Sequence, residues 1–132
     1  MRKMQVRGAD AAPLSAELVA AAARCWRAAR DRGAPVQQRL HAMLAGYGQD
    51  MLAPVFDSLI ALCEAALGRR IVVGEAAALS GDEALLVGML DGSRWCEVAR
   101  GVPDGTVAAL ATAVRSARVM LKLVPGHRAA TG

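Results

Sequence analysis

Two tryptophans, one tyrosine and one phenylalanine are the whole aromatic complement of a chain of 132 residues. Yet 55% of the residues are hydrophobic, so the core has to be built from Leu, Val, Met and a great deal of Ala. Such side chains favour closely packed helices over sheets. The expected fold class is therefore all-α. A chain of this length removes roughly two-thirds of its unfolded surface from water on folding, enough for one domain without staples.

Metal-binding and catalytic residue types are scarce. Of three cysteines and two histidines, no pair shows CxxC or CxxH spacing. His41 has no His, Asp or Glu four residues to either side, and His127 lies close to the end. No metal site is expected from these spacings. The 13 glycines follow neither GxGxxG nor GxxxxGKS/T, which excludes the familiar phosphate loops. The carboxylate pairs have plain readings, Asp57 with Glu64 as the solvent strip of a helix and Asp82 with Glu83 as a capped first turn. No catalytic residue and no cofactor is assigned, and an enzyme is not expected. Cys25 and Cys63 fall in apolar helical settings and read as small hydrophobes. Cys96, beside Trp95, is the candidate reactive thiol.

Long hydrophobic runs are also missing. The most apolar span, Met51 to Leu67, contains Asp57 and Glu64, so no membrane partner is expected. Near the start, Asp10, Pro13 and Glu17 interrupt the residues that follow Arg2, Lys3 and Arg7 before a signal core forms. With an odd cysteine count, this reads as a cytoplasmic protein.

What is present is helical periodicity. Residues 1–13 read as a flexible basic arm, 14–124 as a single helical domain and 125–132 as a frayed tail. Ser15 offers an N-cap for a first helix over about Ala16 to Arg32, stopped by Gly33. Its polar face holds Arg24, Arg27 and Arg30, which read as a solvated ridge. Pro35 opens a second helix, closed by Gly46 and Gly48. Asp50 reads as the N-cap of a third, with Pro54 tolerated in its first turn. Apolar residues cover most of this helix, which suggests the centre of a bundle or half of an oligomer interface through Val55, Leu59 and Leu62. Ile71 to Val73 form a β-branched run that suits one short extended segment, needing a partner for its edges. The expected architecture is a compact bundle of about five helices.

Charge is polarised along the last part of the chain. Residues 74–104 hold Glu75, Asp82, Glu83, Asp91, Glu97 and Asp104 against Arg94 and Arg100, whereas 105–132 hold Arg115, Arg118, Lys122 and Arg128 with no acid. Ser80 and Glu83 have capping-box spacing for a helix over about Gly81 to Leu90. The last helix, about Thr106 to Val124, places Val107, Leu110, Val114, Ala117 and Leu121 on one packing stripe. Arg115, Arg118 and Lys122 lie on its flank.

The pieces LSGDEALLVGMLDG, CEVA and GTV followed by a basic helix resemble a LuxR-type helix-turn-helix between Leu79 and Leu123. The resemblance implies that Leu79, Ser80, Glu83, Met89, Leu90 and Gly92 form the first helix and its end. It implies a scaffold helix at Glu97, Val98 and Ala99, and a recognition helix starting at Gly105, Thr106 and Val107. Read from the residues alone, the same stretch is a set of packing helices.

Three functional expectations follow. The first is a non-enzymatic regulatory protein that acts through protein contacts as a homodimer. The second is a nucleic-acid-associated regulator using Arg115, Arg118 and Lys122, which would serve an acidic protein partner equally well. The third is a small-molecule-binding bundle with a pocket among Met43, Met51, Phe56, Met89 and Met120.

Overall fold

A computed structural model describes the backbone of residues 3–131 and the side chains of residues 16–121. Among the described residues there are six α-helices and no strand, in an all-α bundle. They are α1 (Lys3–Arg32), α2 (Val36–Ala45), α3 (Ala53–Leu67), α4 (Gly81–Leu90), α5 (Trp95–Ala99) and α6 (Asp104–Thr131). The arm read over 1–13, the tail over 125–132 and the Lys122 side chain lie outside the residues whose side chains are described.

Local chemistry sets most helix ends. Gly33, at φ +68°, closes α1. Its N–H donates to Arg30 O and the Ala34 N–H to Ala29 O, the paired bonds of a Schellman ending. Gly68 closes α3 in the same left-handed region. Ser80 and Glu83 form the full capping box at the start of α4. Asp50 differs from expectation. Residues Asp50–Leu52 form a 3-10 turn, α3 begins at Ala53, and the Asp50 carboxylate meets His41 Nε2 at 3.2 Å instead of capping a helix. Pro54 sits in the first turn of α3, where its missing N–H deletes no helical bond.

The core lies where α1, α3, α4 and α6 meet. Leu18, Val19, Ala22, Ala23, Trp26 and Ala29 turn inward from α1, facing Phe56, Leu59, Ile60 and Cys63 of α3, Leu86 and Met89 of α4, and Leu110 and Ala117 of α6. Alanine at the inward positions of α1 and α6 lets the helices approach closely, which is how so few aromatics suffice. Gly88 is a local case in mid-α4. An added Cβ would fall 2.6 Å from Cγ and Cδ of Arg94, whose stem crosses the helix there.

Residues 69–80 run from α3 to α4 without helix or strand. Ile71 plugs the core while Val72, 63% exposed, points away. The edge partner that the extended segment needs is supplied by carboxylates of α3 and α4. The Ile71 N–H donates to Glu64 at 2.9 Å, the Val72 N–H to Asp82 at 2.7 Å and the Gly74 N–H to Glu83 at 3.0 Å.

Candidate interaction surfaces

The charged residues divide into those committed to holding the fold and those left at the surface. Glu83 has no exposed surface. It accepts from Arg24 Nε and Nη2 at 2.8 and 2.9 Å, from the Ser80 N–H at 2.9 Å and from the Gly74 N–H. Burial pushes its carboxyl up, but Arg24 and the two amides together hold it below the usual range. Asp82 is likewise held low, chiefly by Arg69, whose guanidinium grips it with two bonds of 2.7 and 2.8 Å.

Arg27 meets Glu64 at 2.6 Å and also Asp31, and Arg30 lies over the Trp26 ring, 4.9 Å from its centroid. Arg24 and Arg27 are therefore not part of a solvated ridge, whereas Arg30 is exposed. Asp57 and Glu64 are not a solvent strip either. Asp57 accepts from Trp26 Nε1 at 2.9 Å and from Gln37 at 3.1 Å. These acids and arginines stitch α1, α3, α4 and the connector together. Among the described residues, no group of three His, Cys, Asp or Glu is placed to hold a metal ion.

Two surfaces bear on the expected interface and basic residues. The first is an uncharged face shared by α3 and α6. Pro54, Val55 and Ser58 border a groove of about 470 Å³ opposite Ala109, Thr112, Ala113 and Ser116. The exposed residues continue along each helix at one-face spacing, as Pro54, Ser58, Ala61 and Ala65 and as Ala109, Thr112, Ser116 and Val119. Met51, 73% exposed, begins the α3 row, and Val119, 50% exposed, ends the α6 row. The expected interface residues need correction here. Leu59 is wholly buried inside the single chain, because it is the α3 side chain packed into the core. Val55 and Leu62 are half-buried at the margin of the uncharged face.

The second surface is a groove of about 210 Å³ lined by Met89, Gly92, Trp95, Ala111, Val114, Arg115 and Arg118. It lies between the turn after α4 and one flank of α6. Arg115 and Arg118 are exposed, and neither has a carboxylate within ion-pair distance among the described residues. The methionines expected to frame a ligand pocket are not brought together: Met51 is exposed, Met89 and Phe56 are buried in the core, and Met43 and Met120 are half-buried at its edge.

The thiols separate by environment. Cys96 is exposed, and burial pushes Cys25 up and Cys63 up to about 12. In the folded protein one thiol, Cys96, is expected to react rapidly with a disulfide reagent at neutral pH. Cys63 reacts only on unfolding, and Cys96→Ser removes the fast phase. A fast phase that survives this substitution would contradict the assignment.

Comparison with protein-family models, curated proteins and solved structures finds no match to this chain. No described helix is long and apolar enough to cross a membrane.

Proposed function

We propose that this chain is a non-enzymatic cytoplasmic binding protein that works as a homodimer, joined through the uncharged face of α3 and α6. The observation that carries this reading is the absence of charge along two neighbouring exposed helix rows, in a chain where 21% of residues are charged. Solvated helix faces ordinarily carry charge, and the acids that flank the α3 row, Asp57 and Glu64, are turned to Trp26 and Arg27. A two-fold dimer apposes the same patch on both copies, and an uncharged patch does so without desolvating ions or setting like charges together. Small side chains in the groove allow close helix approach, and the Met51 and Val119 side chains supply apolar anchors. Three free cysteines fit a reducing compartment.

Light scattering coupled to size-exclusion chromatography tests the reading across micromolar to near-millimolar concentrations. A dimer is expected, converted to monomer by Ser58→Asp with Thr112→Asp. Both positions are exposed, so the helical circular dichroism should not change. A native chain that stays monomeric throughout, or a dimer indifferent to the two aspartates, overturns it.

A further inference from the structure

The groove beside α6 reaches round to the other flank of the helix, since at about 100° per residue Arg118 is turned away from Ala109 and Ser116, while Arg115 stands between that flank and Val119. Its floor is apolar, formed by Met89 and Val114, both buried, with half-buried Trp95 as one wall. Gly92, at φ +86°, presents backbone without a side chain at one end. On the rim stand the two arginines, one helical turn apart.

We propose that this groove binds an acidic peptide segment, taking one bulky apolar side chain against Trp95 and pairing the flanking carboxylates with Arg115 and Arg118. Size decides the first part. At about 210 Å³ the groove falls below the roughly 300–1,000 Å³ typical of pockets that enclose drug-sized ligands, and suits a single side chain. Charge decides the second part. A guanidinium matches a carboxylate bidentately, and Arg69, Arg24 and Arg94 already do so in this fold at Asp82, Glu83 and Glu97.

Aromatic or aliphatic anchors seated in a pocket, with charged pairs at the rim, are the usual form of a compact protein contact. An extended polyanion fits less well. Two guanidiniums neutralise two phosphates at most, which yields little of the affinity that counterion release provides.

The test uses the full chain and a capped peptide, Asp-Glu-Phe-Asp-Glu, followed by NMR at the two indole N–H signals. The Trp95 signal is expected to shift and saturate with peptide, while that of Trp26, held on Asp57, stays in place. Peptides with amides for the carboxylates, or with Gly for Phe, are each expected to bind about tenfold more weakly or worse. Arg115→Ser with Arg118→Ser should reduce binding similarly without moving the thermal midpoint, because both side chains are exposed. No movement at Trp95, or binding indifferent to the two serines, overturns the proposal. So does an oligothymidylate that binds this groove more tightly than the peptide with a steep salt dependence, which would make nucleic acid the occupant. Dimer formation is read separately by light scattering, so failure here leaves the homodimer reading untouched.

Discussion

Replacing Glu83 with Ala is expected to destabilise the protein by about 3–5 kcal/mol, because one buried carboxylate satisfies three separate partners. Its loss strips the Gly74 and Ser80 N–H groups of their acceptor and removes one half of the capping box of α4, the bond from the residue-83 N–H to Ser80 Oγ remaining. Each orphaned, partly buried donor costs about 1–3 kcal/mol. Arg24 recovers part of its own loss, since its side chain is 30% exposed and can turn to water. Against a total stability of order 5–15 kcal/mol for a domain this size, the deficit is large. Urea unfolding should show it as a lower midpoint.

Glu83→Gln separates charge from shape. The amide still accepts one bond but turns an NH₂ toward the donors of Arg24, so an intermediate loss is expected. The same carboxylate sets the response to acid. Glu83 and Asp82 are both held below their ordinary values of 4.5 and 3.8, so the unfolded chain takes up their protons first as pH falls. Their contribution is complete above those values and disappears as pH drops through the lower, folded ones. Native stability should therefore decline below about pH 4.5, and Glu83→Gln should flatten that decline. An unchanged urea midpoint for Glu83→Ala would show that the connector is held by something other than this network.

The residues that contradict a one-dimensional reading are those paired across long sequence separations. Ser80 with Glu83, Gly33 and Pro54 act within one turn of their own positions, and each was legible as a local signal. The packing stripe of α6 was equally legible. Leu110, Val114 and Ala117 are buried, with Val107 and Leu121 half-buried at its ends. Arg24, by contrast, finds Glu83 59 residues away, and Arg27 finds Glu64 37 residues away. A helical wheel marks such side chains as polar and assigns them to water, because it holds no information about which helix comes alongside.

A signal was nevertheless present. The basic ridge of α1 and the acidic strip of α3 are both narrow and of opposite sign. Two such strips on otherwise apolar helices meet with less desolvation cost than either meets hydrocarbon. The uncharged face of α3 and α6 was hidden for the same reason. It exists only once Asp57 and Glu64, at its margin, are turned to Trp26 and Arg27 and the exposed rows of two distant segments are laid together.

Trp26→Ala is expected to cost about 3–5 kcal/mol, the range for deleting a large buried aromatic, and to loosen α1, α2 and α3 together. The indole is wholly buried although two arginines, at 5.1 and 4.9 Å from its centroid, lie over it. Those guanidiniums form its cover toward solvent and are themselves fastened on one side by Glu64. The ring edge reaches α3 through Nε1 and Asp57, and Asp57 is shared with Gln37 of α2. Truncation thus empties the core position and also leaves Asp57 with a single donor and two arginines over a void.

Trp26→Phe divides the effect. It retains most of the buried ring and removes only the N–H, so a loss of about 1–2 kcal/mol is expected, near the value of a hydrogen bond to a charged group. In a native-state hydrogen-exchange experiment the alanine variant should lose protection in α1 and in α2, which is held to the bundle through this region. The C-terminal half of α4, packed against α6, should retain more of it. Equal protection losses in every helix would mean that the bundle opens only as a whole. The arginine-covered tryptophan would then be one core residue among others, and α2 would not depend on it specifically.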